Sequence, residues 1–380
     1  MALCRTKLTR RDLIVGGATV LVAGASKPRA AEARGDEALF AATRRGPDGA
    51  YAAAVFRADG ADVRAVRLPA RGHDVTVCPV TRRVVAFARR PGTFAVAFDP
   101  LAPRPPIRFT SPPDRHFYGH GVFSRDGRLL FATENDFEAA DGKLGIYDAT
   151  NGFRRLGEFA TGGIGPHDVA LGEGGRTLIV ANGGIETHPA IGNGRRKLNV
   201  ADMAPSVVHL DLASGDLISR HTIADAFARV SLRHLAVGAA RTSIIGGQLQ
   251  RGGPADAPIV FRQSAAADGA LEPIALPQAI VAGLGGYVSS VATNRAGDIV
   301  AVTGARGGVV VYLDVATGRV LDSRSMPDVS GVAADGGDGF LLTSGTGTVA
   351  RGAPAGAHQT SATRWRWDNH AELLPAGGRS

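Results

Sequence analysis

Short apolar runs recur along the chain, bounded by glycine and too brief for ordinary helices. "RVVAFAR", "GRLLFATEN", "GRTLIVANGG", "GDIVAVTGARGG" and "GFLLTSGTG" are β-branched or alternating, the pattern of buried and half-buried strands. Behind three of them come "GIYDATNG", "VVHLDLASG" and "VVVYLDVATG". There an aspartate, two or three residues and a glycine predict a hairpin turn, because glycine reaches positive φ at little cost. A front strand opens each unit: "HDVTV" at His73, "HGVFS" at His120, "HDVAL" at His167, "HLAVG" at His234, "SSVAT" at Ser289 and "SGVAA" at Ser330. Successive spacings are 47, 47, 67, 55 and 41 residues. A period of about 40–50 residues with about four strands per unit predicts an all-β chain folded as a β-propeller.

Counting "ALFAATRRGPDGAYAAAVFRADGADVRAVRLP" as a unit without a clear front strand gives seven blades, starting near residues 38, 73, 119, 165, 232, 287 and 329. An open ring would leave strand edges unpaired, so a C-terminal strand such as "SATRWRWDN" is expected to pair with the N-terminal blade. No helix-length amphipathic segment separates the strands, which argues against a parallel βαβ fold.

In such a ring the start of strand one and the end of strand two share a face. The strand-one starts are His73, His120, His167 and His234; the strand-two ends are Arg89, Glu134, Asn182 and Gln248. The long loop at 183–206, which carries Glu186, His188 and the basic run Arg195, Arg196, Lys197, opens on the same face and is expected to overhang the channel mouth as a lid or wall. "RHFYGH" brings His116 and Tyr118 to that rim, and Asp168 follows His167. Imidazoles with carboxylates suit Fe, Cu, Mn or Zn. The candidate ligands are therefore His120, His167, His234, Glu134, Glu186 and His188, with His73, His116, Tyr118, Asp168, Asn182 and Gln248 as further rim residues. A histidine at a strand start can equally cap backbone groups. His73 is the least favoured of the ring because its blade supplies Arg89 and Arg90 rather than an acid; His209 reads as structural, and His221, His358 and His370 have no visible company.

Composition changes the picture mainly at the N-terminus. Thr9-Arg10-Arg11-Asp12-Leu13-Ile14, an apolar run from Leu13 to Ala25 and basic Lys27 and Arg29 resemble a twin-arginine export signal, with a small-x-small cleavage site at Ala31-Glu32-Ala33. The run is shorter than the about 20 apolar residues of a membrane span. Residues 1–33 hold six basic against two acidic residues, so they carry half of the +8 formal charge. The isoelectric point near 10 is thus no argument for nucleic-acid binding. Cys4 lies in the signal, which leaves Cys78 without an intramolecular disulfide partner and reads as a buried, inert thiol. The expectations are a periplasmic product of 34–380, monomeric and without a membrane span.

The longer motifs are more specific. "RHFYGHGVFSRDGRLLFATENDFE", "GGIGPHDVALGEGGRTLIVANGGIETHP", "KLNVADMAPSVVHLDLASG", "LRHLAV", "GYVSSVA" and "PDVSGVAADGGDGFLLTSGTG" resemble the bacterial exported family catalogued as domain of unknown function 1513, from about Leu39 to Ala353. The resemblance implies a seven-bladed propeller related to YVTN and WD40-like repeats, exported by the twin-arginine route. It also implies a genomic setting with imelysin-like and di-haem peroxidase-like periplasmic proteins, associated with iron acquisition, and it supplies no catalytic residues. Together these features predict a non-catalytic accessory that binds an iron or copper ion, or a metal-handling partner, on the histidine face. The alternatives are an interaction scaffold without metal, and a calcium-dependent lactonase-like hydrolase using Glu134, Asn182 and Asp168. Four histidines differ from an oxygen-only calcium cage, and no G-x-S-x-G motif supports acyl transfer.

Overall fold

A computed structural model of the chain describes residues 38–264 and 271–376; the expected export signal at 1–33 lies outside the described residues. Seven four-stranded antiparallel sheets form the blades of a propeller. Six blades run from the inner to the outer strand in chain order, beginning with Gly72–Val77, Arg115–Phe123, Pro166–Leu171, Val230–Val237, Ser290–Thr293 and Val329–Ala334. These starts fall within a few residues of the periodic positions in the sequence.

The remaining sheet joins both ends of the chain. Leu39–Arg45, Tyr51–Arg57 and Asp62–Arg67 form its outer three strands, and Arg366–Leu373 is its inner strand. Phe40 pairs with Leu373, Ala42 with Ala371 and Arg44 with Trp367. "SATRWRWDN" therefore straddles two elements: Ser361 and Ala362 end the outermost strand of blade seven, and closure starts at Arg366. The seam is packed as a core, with Phe56 and Trp367 rings 4.4 Å apart. Arg44, 2% exposed, lies 3.7 Å over Trp365 and forks onto Asp62.

The inner strands are irregular where it matters. Register shifts occur between Gly72 and Val75, Phe117 and Gly121, Pro166 and Asp168, and Leu232 and His234, and opposite Ala42 and Arg44 on the closing strand. A bulge re-aims a side chain that would otherwise lie on a sheet face. Each of these falls at or beside a histidine. Buried threonines of neighbouring second strands satisfy the carbonyls: Thr43 Oγ1 donates to His73 O at 3.3 Å, and Thr133 Oγ1 to His120 O at 3.1 Å. Cys78 is buried, as its place after an apolar run predicts, and its backbone tightens the first turn of blade two. No helix among the described residues is long and apolar enough to cross a membrane.

Candidate metal centre

Five bulges deliver five imidazoles to the bore. His370, His73, His120, His167 and His234 come from blades one to five in order, and neighbouring ring centroids lie 4.7–5.1 Å apart around a closed circuit. Ser290 and Ser330 occupy the two remaining blades; Ser290 Oγ lies 3.1 Å from His370 Nδ1. One nitrogen from each of His73, His120, His167 and His234 lies within 4.8 Å of the others. In a square-planar or octahedral site, bonds of about 2.0–2.1 Å place opposite nitrogens about 4.1 Å apart. Contraction by a few tenths of an ångström per ring would therefore close the site.

Hydrogen bonds orient two of the rings, His120 and His234, for this. His120 Nδ1 faces Asp74 Oδ2 at 2.9 Å and Asp168 Oδ1 at 3.4 Å, leaving its buried Nε2 without a partner. His370 Nε2 is buried and unpartnered in the same way. His234 Nδ1 donates to Val288 O at 3.1 Å, so its Nε2 carries a lone pair, 3.2 Å from His167 Nε2. Carboxylate or carbonyl behind the outer nitrogen is the usual support of a metal-binding imidazole. Burial, reinforced by their cationic neighbours, pushes His73, His167, His234 and His370 well below the ordinary 6.5. These four rings are neutral near pH 7; His167, whose Nδ1 accepts from Arg233 Nη1 at 3.3 Å, carries its proton on Nε2, donates it to His234 Nε2, and must give it up to ligate. His120 moves the other way: burial pushes down, but Asp168 and Asp74 outweigh it.

A cavity of about 450 Å³ runs from the ring along the inner strands, lined by Asp74, Asp168 and Glu372 besides the histidines, as far as Pro79, Phe123 and Leu171. Burial and the charge of Asp74 raise Asp168 to about 6, against the pull of His120. Glu372 lines the bore with its side chain exposed to it, and desolvation with Asp74 and Asp168 raises it to about 8. The acids thus lie on the open side of the ring.

The other side is covered. Residues 183–205 cross the strand-start face from blade four, and Arg195 donates to Arg90 O of blade two at 3.3 Å. Asn135 Nδ2 of blade three donates to Thr187 O at 3.0 Å, and Lys197 reaches Gln250 of blade five. The expected lid is present, but the cavity reaches the histidines from the opposite end.

Several sequence candidates lie elsewhere. Glu134 is fully buried between strands, where it accepts from Tyr147 Oη at 2.5 Å and Arg155 Nη2 at 2.9 Å. Asn182 Nδ2 donates to Thr161 O at 2.9 Å. Both are second-strand residues whose side chains project into sheet packing; only the inner strand borders the bore. His116 is an anchor for the lid, with Nδ1 donating to Phe117 O and Nε2 accepting from Asn135 Nδ2, both at 3.0 Å. His188 sits at the lid's outer rim, 3.3 Å from Glu138 and edge-on to Phe137. Glu186 is held by its backbone, whose N–H donates to Asn199 Oδ1. Gln248 and Tyr118 belong to the lid side, Gln248 accepting from Arg233 Nη2 at 2.8 Å and Tyr118 lying beneath Arg90. His209 bonds Gln263 at 3.0 Å, a structural role.

The residues missed were His370, Asp74 and Glu372. "HAEL" at His370 repeats the His-led front-strand pattern of "HDVTV", and His73-Asp74 repeats His167-Asp168.

The sequence pattern described as "Protein of unknown function (DUF1513)" matches residues 66–374. The chain belongs to that family. All five ring histidines of this DUF1513 protein lie within the matched span. No curated protein matches it. Among solved structures, the hydrazine synthase of Kuenenia stuttgartiensis superposes with a TM-score of 0.57 at 13% identity, over 84% of this chain and 94% of that one. At that identity the likeness speaks for the propeller fold alone.

Proposed function

We propose that this protein is a non-catalytic periplasmic accessory that holds one first-row transition ion, iron or copper, in the histidine ring, and that it serves iron acquisition. The convergence of four imidazole nitrogens within 4.8 Å, in a ring with two unpartnered buried Nε2 atoms, carries the reading. Buried polar atoms seldom go unsatisfied, and a shared cation satisfies them together. Asp74 and Asp168 line the open bore and favour the approach of a cation from that end. The twin-arginine-like N-terminus supports export, and imelysin-like or di-haem peroxidase-like proteins are the partners that the family context suggests. A calcium-dependent hydrolase using Glu134, Asn182 and Asp168 draws no support, because of the three only Asp168 reaches the bore.

Metal analysis of the protein from its native host, and after reconstitution with Fe(II) or Cu(II), tests the proposal. One ion per chain in the wild type and none in the His120→Ala/His167→Ala/His234→Ala variant is expected. Equal content in both would sink the ligand assignment.

A further inference from the structure

On the lid side of the ring, cations gather with little to neutralise them. Arg233 is 7% exposed, yet its partners are neutral: Nη1 meets His167 Nδ1 at 3.3 Å, Nη2 meets Gln248 Oε1 at 2.8 Å, and its buried Nε has none. Gln250 links this group to the lid, donating to Gln248 O at 2.7 Å and accepting from Lys197. Arg90 lies 5.7 Å from the Tyr118 ring, and Arg306 lies 5.1 Å from the Tyr287 ring. Arg90 and Arg306 are near enough to oppose the charge of Arg233, and no carboxylate hydrogen-bonds to it. Nearby Asp368 is committed to Arg71 at 2.5–2.7 Å. Burial and the charges of Arg233, Arg90 and Arg306 push Lys197 down to about 8.

A buried guanidinium without a carboxylate is costly, and folding alone gives no reason to crowd further cations around it. We propose that Arg233, Arg90, Lys197 and Arg306 form a binding site for a small oxyanion, a carboxylate or phosphate, between the lid and the histidine ring. The buried Nε of Arg233 is left without a partner, and the planar donors of a guanidinium match the oxygens of carboxylate and phosphate. The tyrosines supply walls and hydroxyl donors. The site does not depend on a metal being bound, and it lies on the opposite side of the ring from the acid-lined bore.

The test is calorimetric titration of the metal-stripped full chain with inorganic phosphate and, separately, oxalate, in chloride buffer. Saturable one-to-one binding of at least one anion is expected, and a preference between the two identifies the oxyanion class. Arg90→Ala/Lys197→Ala should weaken it by on the order of tenfold or more, while Arg154→Ala, on an outer strand, should not. Arg233→Met should abolish it and also abolish the rise in Tm that the anion gives the wild type; if that variant does not fold, the Arg90 and Lys197 pair carries the test. Absence of saturable binding to both anions, or equal weakening by Arg154→Ala, would overturn the site. Metal content in Arg90→Ala/Lys197→Ala should equal the wild type's, which keeps this result separate from the histidine reading.

Discussion

Replacing Asp74 with asparagine should weaken metal capture without unfolding the protein. Asp74 Oδ2 lies 2.9 Å from His120 Nδ1, and Asp168 Oδ1 stands behind it at 3.4 Å. Asparagine keeps the shape and one acceptor oxygen, so the change removes charge rather than packing. Loss of an outer partner of a metal-bound imidazole costs about 10–100-fold in affinity, or about 1.4–2.7 kcal/mol. Because Asp168 remains in reach, Asp74→Asn alone should fall near the tenfold end and Asp74→Asn/Asp168→Asn near the hundredfold end. Asp168 also accepts from Leu235 N at 3.0 Å, so urea unfolding must accompany the double variant. The assay is competition against a chromophoric chelator near neutral pH. A cycle with His120→Ala locates the effect: once His120 is gone, Asp74→Asn should cost nothing further. If Asp74→Asn binds metal as tightly as wild type, or costs the same with and without His120, the orientation argument fails.

Gly119 has φ +115°, and a Cβ there would stand 2.5 Å from His73 Cδ2 and 2.9 Å from its Cβ. Gly119→Ala should displace that imidazole, cost about 1–3 kcal/mol by overpacking and lower metal affinity; a variant with both Tm and affinity unchanged would contradict the placement of His73. Burial lowers His116 from 6.5 to about 4. Its stabilising contribution is therefore present above pH 6.5 and lost as pH falls toward 4, up to about 3 kcal/mol over that window. The stability advantage of wild type over His116→Gln in urea should shrink between pH 7.5 and 4.5, and a pH-independent gap would refute this. Arg44→Ala removes the stack on Trp365 and strands Asp62, which is 38% exposed. Water eases that loss, so about 2–3 kcal/mol is expected rather than the larger cost of breaking a fully buried pair, measured as the shift in urea midpoint.

The blades were legible because strand alternation and glycine turns are local signals repeated at a nearly fixed period. The four histidines at blade starts were legible for the same reason, since equivalent positions meet in a ring. His370 was obscured because "HAEL" lies at the end of the closing strand, with no hairpin behind it to mark a front strand. Glu134 and Asn182 show the limit of placement by face: correct height in the ring does not give correct direction, which depends on strand rank and on bulges that no short pattern in the chain announces. Asp74 could have been found beside His73, from its parallel with His167-Asp168. Arg233 could not, since a lone basic residue before a histidine gives no sign of being buried without a counter-charge.

The closing strand does two jobs with eight residues. Arg366–Leu373 completes the first sheet, and the same segment carries His370 and Glu372 into the bore. On the proposed reading, metal capture is thereby tied to synthesis of the whole propeller. A ribosome-bound or prematurely terminated product lacking this segment would have neither a sealed ring nor a full set of imidazoles, so the proposed loading would follow completion of the fold.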